Sequence, residues 1–488
     1  MTTFLISLAV LIGGYAVYGL LVEKVFGIDS KRLTPAMERP DGVDFVPLPV
    51  WKVFMIQFLN IAGVGPIFGA IMGIMFGPAA FLWIVFGTIF AGAVHDFTSA
   101  MMSLRKGGIS LPEIVGDELG SGIRQTIRVL SVVLLILVGA VFVLTPSELL
   151  ASMTPEAMDA TFWAVLIFVY YLLATMLPID KLIGKLYPLF GAALLFMALA
   201  LMGVMFFGDV TIPDGLAEGL HNRHPQAATH AIFPMLFISI ACGAISGFHA
   251  TQSPMMARCL TNEKLARPVF YGAMVAEGIV ALIWAAAAIA FTGGYQQLAD
   301  YMGAPGHGPG TLVHDVSVGW LGTIGGILAI IGVVAAPITT GDTALRSVRL
   351  IVADSLRMNQ KKFLKRAVIC LPLFAVTFAV MMVDFQILWR YFAWCNQTLA
   401  TFTLWAVTVY LARRHRFYLI TLLPALFMTV VTVSYILLAP EGFSLNPTFS
   451  IAVGFAVAAI LLTLFLLKSS KLPLKDPKNL KDLKAPNP

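Results

Sequence analysis

Ile61-Ala-Gly-Val-Gly-Pro-Ile-Phe-Gly69 interrupts an apolar run that extends over residues 53–77. In a helix interior a glycine costs about 1 kcal/mol against alanine and a proline about 3 kcal/mol. Three glycines and a proline in a stretch long enough to cross a bilayer therefore predict two half-helices joined by unwound backbone. Unwinding frees N–H groups at the start of the second half-helix, which favour an anion. It also frees C=O groups at the end of the first, which favour a cation. On this reading Gly63, Gly65 and Pro66 form the hinge. The amides of Ile67, Phe68 and Gly69 face an anionic group, and the carbonyls of Asn60 to Val64 face a cation.

The membrane setting follows from composition. The 488 residues are 59% hydrophobic and 12% charged, with a mean hydropathy of +0.87. Soluble domains carry about 25% charged residues, so one polytopic membrane unit is expected instead of several soluble domains. The net charge of +6 is spread over loops between apolar runs, without interleaved aromatics, which excludes nucleic acid as a partner. Cys242, Cys259, Cys370 and Cys395 form no CxxC pair, so neither a disulfide framework nor a zinc ribbon is expected. The run at 3–22 lacks a basic flank and a small-residue cleavage site, and is expected to be retained. The sequence has no Walker A, nucleophile-elbow or HExxH motif, which speaks against ATP-driven transport and against an enzyme.

Thirteen apolar runs approach the length of about 20 residues that spans the hydrocarbon. They fall at 3–25, 53–77, 79–104, 125–148, 161–178, 186–208, 231–253, 269–293, 318–344, 365–384, 387–411, 416–438 and 447–467, and are called segments one to thirteen. With thirteen crossings, alternate loops share a side, and one side collects 30 of the 32 lysines and arginines. The exceptions are Arg223, in the 209–230 loop, and Arg390, just inside segment eleven. The positive-inside rule then predicts an outside N-terminus and an inside C-terminus. The 468–488 tail, with six lysines, is expected to be disordered at the inner surface.

Segment seven carries a second cluster of breakers, Ile240-Ala-Cys-Gly-Ala-Ile-Ser-Gly-Phe-His-Ala-Thr-Gln-Ser-Pro254. Segments two and seven are five crossings apart, so they run in opposite directions. This predicts a 5+5 inverted repeat, each half opening with a discontinuous helix, and paired breaks of this kind mark a transporter's binding site. The expected organisation is a peripheral first helix and loop at 1–52, repeat one at 53–208, repeat two at 231–411, two peripheral helices at 416–467, and the basic tail.

Asn60-Ile-Ala-Gly-Val-Gly-Pro66, Ala91-Gly-Ala-Val-His-Asp-Phe97, Ser103-Leu-Arg-Lys-Gly-Gly-Ile-Ser-Leu111, Cys242-Gly-Ala-Ile-Ser-Gly-Phe-His249 and Tyr271-Gly-Ala-Met274 resemble the carbon starvation protein A family. The resemblance covers at least residues 10 to 410. It implies a bacterial inner-membrane transporter of peptides or pyruvate, proton-driven, with a leucine-transporter-type fold. Gln57, Asn60 and His95 stand where that family is expected to carry histidine, a small residue and glutamine.

The expected substrate-binding residues are Gln57, Asn60, Gly63, Gly65, Pro66, Phe68, Ser246, His249 and Gln252. His95, Asp96 and Glu277 lie deep in segments three and eight, which correspond under the repeat. They form a candidate proton path, because histidine titrates near neutral pH; the alternative is a structural polar pair. The fold resemblance adds a candidate sodium site at Thr339, Thr340, Asp342 and Thr343 with the carbonyls of segment two, oxygen ligands suiting a hard cation. The alternative there is a helix end with Asp342 paired to Arg346. Asn396 and Gln397 are expected to hydrogen-bond across helices. His221, His224 and His230 sit together in an outer loop without a metal-ligand pattern. No cofactor or metal is expected, only a coupling H+ or Na+. The expected partners are a small-molecule substrate and the bilayer. The leading reading is import of a pyruvate-like carboxylate or short peptide by alternating access, and the second is an inner-membrane nutrient sensor without net transport. The sequence carries no signal for an oligomeric state.

Overall fold

The computed structural model describes residues 1–41, 45–176, 183–356, 358 and 363–469, and among these it is built of helices without strands. The expected disordered tail from 470 onward and the loop residue Lys181 lie outside the described residues. Among the described residues, nine helices are long and apolar enough to cross a membrane. The pair Val50–Ile61 and Gly65–Ile74, bent by 48°, makes a tenth. The other three apolar runs are also helical, and each falls short for a physical reason. Segment five, Ala160–Met176, has 17 residues. Segment seven is split into short pieces. Segment eleven, Phe385–Ala412, is 28 residues long but carries Arg390, Asn396 and Gln397.

Segment nine differs from its expected bounds of 318–344. A kink at Gly322 (φ 60°) divides Pro309–Leu328, and helix continues through Ala329–Val334 into Ala335–Ser355. Arg346 and Arg349, assigned to a loop from the sequence, therefore sit on a helix and are buried. The apolar run ends before the helix does, because arginines can enter a helix whose neighbours shield them.

The connecting segments sort to two ends of the bundle. At one end Arg105 pairs with Glu263 (2.8 Å) and Arg267 with Glu23 (2.7 Å). Lys106 and Arg413 both reach Glu118 at 2.8 Å, and Asn262 donates to the Ser30 carbonyl. At the other end the amino terminus donates to the Ile212 carbonyl (2.7 Å). There Arg223 covers the Tyr295 ring and Arg390 pairs with Glu441 (3.1 Å). These are the two loop sets that charge alternation separates.

The two broken segments cross antiparallel with their breaks in contact. Gln57 Nε2 donates to Ser253 Oγ (3.0 Å). A Cβ on Gly65 would lie 2.4 Å from Cys242 Cβ, and one on Gly69 would lie 3.1 Å from the Ser239 carbonyl. Glycine at 65 is thus required by the approach of another chain segment.

Candidate transport site

In segment two the first half-helix ends at Ile61 and the second starts at Gly65. The unwound residues are 62–64, so Gly65 and Pro66 open the second half-helix instead of forming the hinge. Proline fits this first turn, where its missing N–H has no partner to lose. The expected anion-facing amides of Ile67 and Phe68 are taken: both donate to the Val64 carbonyl (3.2 and 2.8 Å). Among the described residues, the N–H groups of Gly63, Val64 and Gly65 have no acceptor. They are the amides this break offers.

Segment seven unwinds over 240–248, the N-terminal part of the breaker cluster 240–254. Pro254 lies inside the second half-helix, His249–Ala257, together with Gln252. Here the protein meets part of its own backbone. The Asn396 carboxamide oxygen accepts from Phe248 N–H (2.6 Å) and Ser246 Oγ (3.1 Å), and the Asn396 carbonyl accepts from Gly247 N–H (3.1 Å). A Cβ on Gly247 would meet that carbonyl at 2.2 Å. Gln397 donates to the Phe237 carbonyl, Trp83 to Ile240 (3.3 Å) and Thr88 to Gly243 (3.1 Å). The Asn–Gln pair of segment eleven does bond across helices, as expected; its target is the opposite break. Thr88 lies in a π-turn, Thr88–Gly92, a local rewinding often found at functional sites.

Next to the breaks lies a fully buried chain of ionisable groups. His95 Nδ1 is 2.8 Å from Asp96 Oδ1, and His249 Nδ1 is 2.9 Å from Asp96 Oδ2. His249 Nε2 is 3.5 Å from Glu277 Oε2. All four side chains have zero exposure. The sequence reading placed His249 with the substrate. In the structure it lies between Asp96 and Glu277, two of the residues read as a candidate proton path, because the second half-helix begins at His249 and aims its ring between segments three and eight. Imidazole between two carboxylates is a group that can accept a proton at one nitrogen and release it from the other.

Of the proposed sodium ligands, Thr340 reaches the end of the first half-helix: its hydroxyl lies 3.3 Å from the Leu59 carbonyl, and also 2.9 Å from that of Ala336. Thr339 and Thr343 bond back along their own helix. Asp342 pairs with Arg346 (3.5 Å), the alternative weighed for it. Tyr171, not singled out from the sequence, ties segments four and nine through the Phe142 and Pro337 carbonyls (2.9 and 3.0 Å). A lone tyrosine in an apolar run gives no signal of that role. Phe68 packs into an aromatic line with Trp389, Phe392 and Phe142, and Phe142 lies against Gly63.

Several buried polar atoms at this place lack a hydrogen-bond partner: Gln57 Oε1, Asn60 Oδ1, Gln252 Oε1, His95 Nε2, and also His249 Nε2 and the Glu277 oxygens, which face each other at 3.5 Å without forming one. Orphaned buried groups are costly and uncommon, and their concentration around two breaks is the mark of a site that takes something up. In the outer loop, His224 and His230 stack at 4.6 Å. Burial and the neighbouring His230 pull the pKa of His224 down to about 4. His221 is not part of that stack.

The profile of the carbon starvation protein CstA family matches residues 1–162 and 156–317. The chain belongs to this family. An uncharacterized membrane protein of Haemophilus influenzae is 41% identical over 62% of this chain and 95% of its own length. The pyruvate/proton symporter BtsT of Escherichia coli is 31% identical over 57% of this chain and 47% of its own. The peptide transporter CstA of Bacillus subtilis is 29% identical over 59% and 58%. The chain thus spans about half the length of these named transporters. A solved manganese transporter from Eremococcus coleocola aligns with 91% of this chain and 99% of its own, at a TM-score of 0.52 and 12% identity, which is a likeness of fold. This member of the CstA family is a multi-pass membrane protein. Those of its relatives that carry a functional name are transporters, and none is an enzyme.

Proposed function

We propose that this CstA-family protein is a proton-coupled symporter that imports a small carboxylate or short peptide by alternating access. Thirteen crossings form a 5+5 inverted repeat with two peripheral helices after it and one before, N-terminus outside and C-terminus inside. The observation that carries the proposal is the contact between two antiparallel breaks beside the buried chain His95–Asp96–His249–Glu277. The substrate's anionic group rests on the free amides of Gly63, Val64 and Gly65, and Gln57, Asn60 and Gln252 read its remaining polar atoms. The proton resides on the His249 bridge between Asp96 and Glu277. His249 sits at the start of a half-helix that must move when the repeats rock, so protonation and conformation are linked through one residue. The names of the relatives, a pyruvate/proton symporter and peptide transporters, support this substrate range.

The experiment is uptake into proteoliposomes of radiolabelled pyruvate and of a panel of di- and tripeptides, with proton and sodium gradients imposed separately. Accumulation driven by an inward proton gradient is expected. Accumulation driven by sodium alone transfers coupling to the Thr340 region, and no accumulation under either gradient refutes the proposal.

A further inference from the structure

A second unbalanced site lies away from the breaks. On Ala335–Ser355, residues 342, 346 and 349 share one face at helical spacing. Asp342, Arg346 and Arg349 are each less than 10% exposed. Arg346 is used: it pairs with Asp342 and donates to the Ala174 carbonyl (2.8 Å). Arg349 is buried (7% exposed), its Nε has no hydrogen-bond partner, and no carboxylate among the described residues lies within ion-pair distance of it. Arg366, on the neighbouring helix Phe363–Val380, has the same orphaned Nε. Arg346, Arg349 and Arg366 all lie within electrostatic reach of Cys370, one turn beyond Arg366. Three guanidiniums thus act on one another where Asp342 is the one carboxylate on hand among the described side chains. Buried charge without a partner is strongly unfavourable, so the arrangement calls for an anion with several acceptor oxygens. Guanidinium forks match phosphate geometry.

The surroundings name the source. Phe363, Leu364, Val368 and Leu371 on the same helix are exposed, as is Leu350 beside Arg349. Charge alternation puts this end at the inner leaflet. We propose that Arg349 and Arg366, with Arg346, bind the phosphate headgroup of an anionic inner-leaflet lipid, whose chains lie along the apolar surface of Phe363–Val380. Basic pockets between membrane helices at this depth hold such headgroups. The lipid would brace the helix that carries Thr340 to the first break, which makes the occupancy of this site a control on the transport machinery.

The test uses the full chain, stripped of co-purified lipid. Native mass spectrometry compares phosphatidylglycerol with phosphatidylcholine at equal concentration, and thermal unfolding is followed with each lipid or with inorganic phosphate. Phosphatidylglycerol is expected to stay bound under activation that removes phosphatidylcholine, and to raise the unfolding midpoint by mass action. Arg366→Gln, at a partly exposed residue, should weaken that retention about tenfold, and Arg349→Lys with Arg366→Lys should keep the preference for the anionic lipid. Equal retention of both lipids by the natural chain overturns the proposal, and so does an unaltered preference in Arg366→Gln combined with Arg349→Gln. Inorganic phosphate reproducing the whole midpoint shift overturns the lipid assignment in favour of a free-anion site.

Discussion

Gly65→Ala adds a single methyl group at the point where the two breaks touch. The new Cβ lies 2.4 Å from Cys242 Cβ and 2.5 Å from its Sγ, whereas ordinary contact begins at 3.4 Å. Cys242 cannot swing clear by a rotamer change, because its own Cβ is the nearest atom. Its backbone is held as well, since the following residues of the break are pinned by Asn396. Overpacking of this kind costs about 1–3 kcal/mol, which corresponds to about a 5- to 140-fold loss of the packed state. The expected outcome is a loss of uptake of that order, with a lowered unfolding midpoint and normal abundance in the membrane. Cys242→Gly removes both offending atoms, so the double variant Gly65→Ala/Cys242→Gly should recover most of the loss. The measured quantity is the interaction energy of the double-mutant cycle, obtained from uptake rates and from midpoints. Strict additivity of the two substitutions would refute the contact, and with it the placement of the breaks against each other.

Asp96→Asn keeps the shape of the central residue but removes its charge; proton-driven accumulation should fall by at least about tenfold, while exchange of labelled for unlabelled substrate at equal pH persists. Loss of both activities would instead mark Asp96 as part of the substrate site. Thr340→Val deletes the hydroxyl near the Leu59 carbonyl with little change in volume. With the proton carried at His249 it should leave the proton dependence of uptake within about twofold, and a sodium half-saturation that rises in this variant would transfer coupling to the Thr340 region. His224 has a folded-state pKa of about 4, below its ordinary 6.5. As pH falls the unfolded loop therefore takes up a proton first; the loop keeps full stability above about 6.5 and loses it progressively toward pH 4. Hydrogen exchange over 219–230, corrected for the intrinsic rate, should rise between pH 7 and 5 in the natural chain and rise less in His224→Gln, where the remaining rise comes from His230, which burial also holds below its ordinary value.

The reach of the sequence differs from element to element for identifiable reasons. The break at 62–64 was visible because glycine and proline change helix energetics locally, and the grouping of loops because charge counts need no tertiary knowledge. The exact edges of both breaks were not visible. Pro66 and Pro254 read as breakers, yet both are helical: the first sits in a first turn, and the second's lost hydrogen bond is the one to Ala250, in the first turn of the same half-helix. The role of His249 was hidden because it depends on which way a half-helix points after a break. Asp96 and Glu277 were found from their depth alone, but the residue joining them is 153 positions from the first. Likewise the burial of Arg346 and Arg349 rests on neighbouring helices, which no window of hydropathy contains.

The two breaks are alike in sequence and differ in where the protein meets them. Segment seven's Gly247 and Phe248 amides and its Ile240 and Gly243 carbonyls are met by side chains and backbone of neighbouring helices, through Asn396, Trp83 and Thr88. A ligand arriving there would have to displace bonds already made and would gain only the difference. In segment two the amides of Gly63, Val64 and Gly65 are unclaimed, and Asn60 Oδ1 and Gln57 Oε1 beside them are buried without partners. A ligand binding there repays a desolvation cost that the empty protein already bears, about 1–3 kcal/mol per buried group. The binding energy is therefore concentrated at the first break. The second break, ending at His249, is held against the first through Gln57 and Ser253. On the proposed mechanism substrate and proton therefore act on opposite sides of one helix crossing, and a movement of either half-helix of segment seven alters both sites together.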